Sequence, residues 1–384
     1  MPPADAALLA RAQALVPALT ARAAAAEAAG EVPAETIADF RAAGLLRVLQ
    51  PCRFGGRGGP FALFSAIVEA LAGGCAASAW VYAVLGEHQR VIACFPEAAQ
   101  REVWEANPEA VACSSLLARA TAQPVNGGWR IGGRFPFSSG SAHAQWAILG
   151  ALCDAGAGPE PRYLLVPMAG VTRADDWQVL GLRATGSRSL VLEETFVPEH
   201  RTVRLADLLA GTPPGRAAHP AFALLEAPRY LFVPYSLPPV AIGIAARALG
   251  LATAVLRARR ARDGGALAGQ DYVQVELGHA AAEIDTARLI LREGRARAEA
   301  TLAAGGPIDP AAPETHRRDM AFAVALARAG VERLCALAGT EIVYDRSPLQ
   351  GMLRDLLTIA THGVVAPREA MGAAGRRMLS APPD

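Results

Sequence analysis

Gly132–Trp146 reads GGRFPFSSGSAHAQW. Phe135 to Ser139 has the pattern of a strand that breaks at Gly140, and a second strand begins at Ala144 and continues through WAILGAL. A Ser-Ser-Gly break between two β segments sets small hydroxyls and bare backbone amides at a strand end. A flat, polar-edged ligand can approach closely there, because no bulky side chain stands in the way. An ordinary strand corner carries the same local pattern, so the surrounding chain has to decide.

Outward from this stretch the periodicity is that of β structure. The runs AVACSSLL, WRIGGRF, WAILGAL, RYLLVPM, WQVLGL and SLVLEETFV are split by Gly, Pro and Asn. They predict a β domain of about one hundred residues. Upstream the chain is helical. Residues 5–30 form an Ala/Leu helix, a second follows Pro33 and ends at Gly44, and Phe61–Ala72 and Ala76–Phe95 are two more. Pro96 starts the next. Along Ala76–Phe95, Trp80, Val84, His88 and Ile92 recur every four residues and share one face. A lone histidine on such a face is ordinarily a hydrogen-bonded core residue. The loop Pro51–Pro60 carries FGGRGG, but the sixth position counted from Gly56 is Phe61 and no β-branched strand precedes it. It reads as a turn, not a dinucleotide fingerprint.

Downstream, Thr212–Pro239 is rich in proline and carries Phe222, Tyr230, Phe232 and Tyr235. Such a long loop inside a compact chain is more often functional than filler. Val240–Arg262, Asp271–Ala304, Glu314–Ala338 and Pro348–Arg377 then hold a helical period and predict a four-helix bundle. The expected organisation is α+β: an N-terminal helical domain over 1–108, a central β domain over 109–212 and a C-terminal bundle over 213–384.

Composition removes several function classes. The net charge of +1 favours neither nucleic acid nor an anionic membrane as partner. Every basic residue is Arg, which excludes a Schiff-base or pyridoxal-phosphate lysine and a P-loop lysine. The six Cys form no C-x-x-C and read as reduced residues of a cytoplasmic protein. The seven His show no ligand spacing, so no metal is expected. No basic segment followed by an apolar one marks a signal peptide. The apolar stretch Leu237–Leu256 has Arg247 near its centre, where insertion in a bilayer would cost roughly 2.5–3.5 kcal/mol. It reads as a helix buried in a bundle.

Three phrases carry a resemblance. WRIGGRFPFSSGSAHAQWAILGAL, GLRATGSRSLVLEETFVPEHR (181–201) and SPLQGMLRDLLTIATH (347–362) occur in the order found in the group D two-component flavin-dependent monooxygenases. The helical, β, helical order resembles their acyl-CoA dehydrogenase fold over nearly the whole chain. The second phrase looks like the family's Thr-Gly-Ser strand and valine-proline exit. The third looks like its last-helix phrase ending in a histidine.

The resemblance implies an oxygenase component that takes FMNH2 or FADH2 from a separate NAD(P)H-flavin reductase. With O2 it would form a C4a-hydroperoxyflavin and hydroxylate an aromatic or polycyclic molecule. Ser139 matches the residue whose hydroxyl meets flavin N5, Phe137 the aromatic residue at the ring edge, and Ser115 a flavin contact on the neighbouring strand. Ser138 is taken with them as cofactor-binding, although the period of two points it to the opposite face. His88 and His362 match two histidines around a phenolic substrate, and a neutral histidine can take the phenol proton. Arg260 falls where a neighbouring subunit reaches the cofactor phosphate, which implies a homo-oligomer, expected as a tetramer built through the bundle. After CSS the chain departs from the family phrase at Leu116-Leu117-Ala118-Arg119, which lacks its Pro and Gly.

Related readings are an N-oxygenase of an amine or amino sugar, an acyl-CoA dehydrogenase or oxidase, and a non-catalytic scaffold. A dehydrogenase needs a carboxylate base, which in that enzyme class commonly follows an Arg-Asp pair such as Arg354-Asp355, although some members place it elsewhere. None lies between Asp355 and Glu369, and His362-Gly363 stands there instead.

Overall fold

The computed structural model describes residues 2–154, 156, 158–260 and 264–380 of the chain. Five helices come first: α1 (Pro3–Ala29), α2 (Ala34–Ala42), α3 (Phe61–Ala72), α4 (Ala76–Ala93) and α5 (Glu97–Trp104). Pro33, Pro60 and Pro96 stand immediately before α2, α3 and α5, where a missing N–H leaves no bond unmade. Helix α4 is enclosed on all sides, its buried Glu87, His88, Gln89 and Arg90 included; among its residues only Val84 is half-open. It runs through the middle of the protein.

The sheet follows, with strands β1 (Ala112–Val125), β2 (Gly128–Phe135), β3 (Trp146–Cys153), β4 (Glu160–Pro167), β5 (Thr172–Arg173), β6 (Leu190–Pro198) and β7 (Thr202–Arg204). Their order across the sheet is β5-β6-β2-β1-β3-β4-β7. Only β1 and β3 pair in parallel, with Ala112 beside Trp146. Chain direction therefore requires a crossover between β2 and β3, and residues 136–145 make it, at the end of the sheet where β1 begins. Alternation sorts the side chains. Ile148, Tyr163 and Leu165 join the core formed with the helices, whereas Ala147, Leu149, Leu164 and Val166 fill a second core on the other face.

The remaining helices are α6 (Leu205–Ala210), α7 (Arg229–Phe232), α8 (Pro238–Ala258), α9 (Asp271–Ala304), α10 (Ala312–Ala338), α11 (Pro348–Ile359) and α12 (Pro367–Ser380). The stretch 229–258 is long and apolar enough to cross a bilayer, but over half of its most apolar window is buried, and α8 packs against α3, α10 and α11. All six cysteines are free, five of them buried.

The helix, sheet, helix order is the α+β arrangement the sequence predicts, and four local expectations are corrected. The strand ends at Phe135, not Ser139, because Phe137 takes a left-handed φ of 64° that no strand tolerates. WQVLGL is not a strand. Its Leu180–Leu182 end lies along α11, so closely that a Cβ on Gly181 would meet the Arg354 carbonyl at 2.2 Å. Thr185-Gly186-Ser187 is a turn before β6, with Gly186 at φ 54°. The last long helix is two, α11 and α12, parted by Gly363 and Pro367, so His362 stands just beyond the end of α11. The expected end of the first bundle helix, Arg262, lies outside the described residues.

Candidate active site

The crossover after β2 is fixed from several sides. Phe137 is 60 % exposed, and its ring meets Trp177 edge-on at 6.3 Å. Gly140 has φ 69° and packs on α4, where an added Cβ would come within 3.0 Å of Val81. A bulky residue with positive φ beside a packed glycine is local strain that the surrounding structure has to hold. Ser115 on β1 donates its hydroxyl to the Pro136 carbonyl at 2.6 Å, which ties the crossover to the neighbouring strand.

Ser138 and Ser139 part company. Ser138 is fully buried, its hydroxyl turned to the Phe135 carbonyl and its N–H given to the Arg188 carbonyl. It has no free polar hydrogen for a ligand. Ser139, 7 % exposed, lies in a chain of hydroxyls. The Trp80 indole N–H donates to its Oγ at 3.1 Å, Ser139 and Ser187 are 2.6 Å apart, and Ser187 and Thr185 are 2.7 Å apart. Thr185 ends the chain by donating to the Leu182 carbonyl at 2.8 Å.

The two ends decide every proton between them. An indole nitrogen can only donate and a carbonyl can only accept. Thr185 spends its proton on Leu182, so Ser187 must donate to Thr185, and Ser139 must donate to Ser187. Ser139 is left with a lone pair and no proton to give. That chemistry fits the N5 edge of a reduced flavin, which carries an N–H, better than that of an oxidised one, whose N5 is itself an acceptor.

The loop holding this chain is clamped to α11. Asp355 accepts the Leu182 N–H at 2.6 Å, and Arg354 bonds the Leu180 carbonyl at 3.0 Å and Glu27 at 2.7 Å. Burial raises the Asp355 carboxyl to about 6. The Arg354-Asp355 pair thus positions Leu182–Ser187.

His88 lies two turns beyond Trp80 on α4, about 12 Å along the axis. It is 4 % exposed, and its Nδ1 is 2.7 Å from the Ala112 carbonyl. The carbonyl fixes the proton on Nδ1, so in the neutral ring Nε2 is a free lone pair. The nearest carboxylate oxygen, on Glu87, is 3.9 Å from Nε2, beyond hydrogen-bond reach, and Glu87 is held by Arg90 at 2.9 Å.

His362 has the opposite tautomer. Its Nδ1 accepts the Val364 N–H at 3.3 Å, which leaves the proton on Nε2. Its ring meets Trp80 edge-on at 5.4 Å. Burial, with the Arg229 charge adding to it, pushes His362 down to about 4, and burial likewise lowers His88. Both rings are therefore neutral at pH 7, one presenting an acceptor and the other a donor. The charge of Arg229, on α7, lowers both histidines, and sequence reasoning did not single this residue out. Its only signal was its place in the proline- and aromatic-rich segment between the sheet and the bundle.

Other expected residues are placed as follows. Arg260 is exposed beyond the C-terminal end of α8 and donates to the Gly264 carbonyl at 2.9 Å. Nothing joins it to Ser139 within one chain. Residues 116–119, where the chain departs from the expected phrase, form a bulge: the pairing of β1 with β3 shifts between Ser115 and Ala120. Glu369 pairs with Arg317 at 2.7 Å and points outward. Two open clefts of about 380 and 430 Å³ lie elsewhere, one between α9 and α10 and one beside Trp177. Neither is lined by His88, His362 or Ser139.

Comparison with known proteins follows the same division of the chain. Residues 4–106 match the family model of the acyl-CoA dehydrogenase N-terminal domain, and residues 235–367 that of the C-terminal domain. The FADH2-dependent resorcinol hydroxylase oxygenase component of Rhizobium sp. (strain MTP-10005) is 34% identical over 88% of this chain and 85% of its own length. The flavin-dependent monooxygenase oxygenase subunit HsaA of Rhodococcus jostii (strain RHA1) is 29% identical over 94% of this chain and 95% of its own. Among solved structures, 3-HSA hydroxylase from Rhodococcus sp. RHA1 superposes with a TM-score of 0.92 at 28% identity, covering 98% of each chain.

Proposed function

The chain belongs to the acyl-CoA dehydrogenase family, among the oxygenase components of two-component flavin-dependent monooxygenases, and from that premise we propose how its site works. It is a monooxygenase that receives reduced flavin, FADH2 or FMNH2, from a separate reductase and hydroxylates an aromatic small molecule with O2. When bound, the flavin supplies the activation of O2 and the transfer of one oxygen atom. The residues of this chain hold the ring, position the substrate and move protons.

Ser139 would accept the N–H at the N5 edge of reduced flavin, Phe137 would stand at the ring edge, and Ser115 shapes the adjoining backbone. His88, with Nε2 free and the ring neutral, takes the proton of the substrate hydroxyl, which makes the ring carbon a stronger nucleophile. His362 donates from Nε2 on the other side of the substrate. The observation that carries this assignment is the pair of opposed tautomers, each set by a backbone hydrogen bond.

Against a dehydrogenase reading, three carboxylates near the expected position or the histidines are engaged: Glu369 is paired on the surface, Asp355 is bound to Leu182, and Glu87 is held by Arg90. Exposed Tyr272, Val275, Leu289 and Phe322 on α9 and α10 support a homotetramer built through the bundle, in which Arg260 serves a neighbour's cofactor. Sedimentation of the flavin-loaded protein as a monomer would remove that part. Six unpaired cysteines and a buried α8 support a cytoplasmic setting.

The test loads the protein anaerobically with FADH2 or FMNH2, adds a panel of phenols and amines, and mixes with isotopically labelled O2. One labelled atom on an aromatic carbon is the expected result. Label on nitrogen, or reduction of bound FAD by an acyl-CoA, would overturn it.

A further inference from the structure

Arg317, on α10, holds the turn that carries His362. Its Nη2 has two hydrogens, and both are placed: one goes to the Gly363 carbonyl and one to the Glu369 carboxylate of α12, each at 2.7 Å. The guanidinium carbon stands 5.3 Å from the centre of the Tyr230 ring, on α7. Nε is buried and has no hydrogen-bonding partner among the described residues. Leaving that N–H unpaired is a cost, and it accompanies a placement that brings Nη2 onto Gly363.

The Gly363 carbonyl and the Val364 N–H belong to one peptide unit. In a trans peptide the two point in opposite directions. Arg317 therefore meets the unit at its oxygen, and His362 meets it at its nitrogen, where the Val364 N–H donates to Nδ1 at 3.3 Å. That bond is long for an N–H donor and weak by itself. A charged donor on the carbonyl draws electron density to the oxygen, and the N–H of the same unit becomes the better donor, as in any series of hydrogen bonds. The rest of the turn is committed. The His362 N–H goes to the Ile359 carbonyl at 3.0 Å, and the His362 carbonyl accepts the Val365 N–H at 2.9 Å. The ring packs edge-on against Trp80. What is left to set is which ring nitrogen carries the proton.

We propose that Arg317 is a positioning residue for His362: acting through the Gly363–Val364 peptide, it keeps Nδ1 an acceptor and the proton on Nε2. The inference rests on the monooxygenase reading, in which Nε2 is the donor to the substrate, and it names what holds that donor in place. The Arg317–Glu369 ion pair is a separate matter. Glu369 is 67 % exposed, and an exposed ion pair contributes little. It ties α12 to α10 and lies off the path to the ring.

The experiment uses the full chain loaded anaerobically with reduced flavin and carrying isotopically labelled histidine ring nitrogens. Nitrogen NMR distinguishes a protonated ring nitrogen from a bare one, and the His362 signals are those missing from His362→Gln. The parent should show a bare Nδ1 and a protonated Nε2. Arg317→Met keeps the length and removes the charge and the donors. It should shift the ratio of the two tautomers about two- to twelvefold toward Nδ1–H, the worth of one hydrogen bond. Arg317→Lys should restore most of the parent ratio, because an ammonium can donate to the same carbonyl. Glu369→Gln should leave the ratio unchanged, although it too frees α12 from α10; a purely structural arginine would make it behave like Arg317→Met. The proposal is overturned if the parent carries its proton on Nδ1, if Arg317→Met keeps the parent ratio, or if Glu369→Gln shifts it equally. Should Arg317→Met not fold, the parent's tautomer and the Glu369→Gln arm decide without it. Labelled product from a parent whose tautomer ignores Arg317 would remove this role and leave the monooxygenase reading standing. A tautomer that follows Arg317 in a chain that forms no product would keep the role and remove that reading.

Discussion

Two walls of the proposed site are built on opposite principles. Along the crossover, Trp80, Ser139, Ser187 and Thr185 form a polar chain in which every proton is assigned and only one lone pair is left over. Around α4 and α7, His88 Nε2 has no hydrogen-bonding partner among the described residues, and the Arg229 guanidinium stands 5.5 Å from the centre of the Tyr163 ring. A completed network holds its shape without a ligand and can discriminate between forms of a cofactor. An incomplete one is expensive until a ligand completes it, and so it recognises substrate. In the proposed mechanism the difference separates the tasks: the first wall would govern how long activated oxygen is kept, the second which ring it reaches.

The largest effect should come from the incomplete wall. His88→Ala removes the proton acceptor, and product formation should fall about 10²–10⁴-fold while reduced flavin still binds. Because burial lowers the His88 pKa, the neutral ring is favoured at pH 7. Hydroxylation in the parent should therefore decline only at pH values below the ordinary histidine range. Single-turnover product yield across pH checks both. A decline centred at or above pH 7 would mean that another group supplies the base.

Ser139→Ala attacks the completed wall. Reduced flavin should still bind and O2 should still be consumed, but hydrogen peroxide should replace product, with the coupled fraction reduced by about tenfold (one strong hydrogen bond lost at the reacting edge). The fold should also lose about 1–3 kcal/mol, because the Trp80 N–H is left buried without an acceptor. Ser138→Ala should leave coupling unchanged. Equal peroxide yields from the parent and Ser139→Ala would make the crossover an ordinary strand corner.

Stability against acid compares the walls another way. Burial lowers His88, His143, His219, His316 and His362, the last two to about 4. The unfolded chain binds protons at these groups below about pH 6.5 and the folded chain does not, so stability is lost as pH falls through that range. Asp355, raised to about 6, works in the other sense: it favours the folded state at low pH and loses that contribution as pH rises through 6. Several histidines outnumber one carboxyl. Melting temperature should fall from pH 7 to pH 5, with each fully linked histidine contributing up to about 1.4 kcal/mol per pH unit. His362→Gln should flatten the slope; an unchanged slope would mean that His362 titrates freely.

The sequence carried the architecture because helix and strand periods differ and proline marks helix starts at Pro33, Pro60 and Pro96. Ser139, His88 and His362 came from the family resemblance; periodicity alone read His88 as a core histidine and Ser139 as part of a strand corner. The sequence could not place Arg229 against the Tyr163 ring, a contact between distant segments. Nor could it see that Thr185 and Ser187 continue from Ser139, since forty-odd residues and a turn separate them. The strand was drawn too long through Ser139 because a positive φ at Phe137 is a tertiary demand that phenylalanine does not announce.

The smallest effect tests the direction of the hydroxyl chain itself. If Ser139 offers only a lone pair, reduced flavin, with its N–H at N5, should bind more tightly than oxidised flavin. Ser187→Ala takes away the acceptor for the Ser139 proton, which can then turn toward an oxidised N5. Thr185→Val has the same result by another route: Ser187 no longer has to donate to Thr185, can donate to Ser139 instead, and releases the Ser139 proton. Trp80→Phe is the contrasting case. It removes the donor end, but Thr185 still donates to Leu182, so Ser187 and Ser139 keep their directions and the preference should persist. One hydrogen bond gained by oxidised flavin corresponds to roughly 0.5–1.5 kcal/mol, about a two- to twelvefold change in the ratio of affinities. Titration of each variant with oxidised and with anaerobically reduced flavin measures that ratio without any turnover. A ratio that collapses in Ser187→Ala and Thr185→Val and survives in Trp80→Phe fixes the chain's polarity at its carbonyl end; a ratio that also collapses in Trp80→Phe shows that the indole, and not Leu182, sets it.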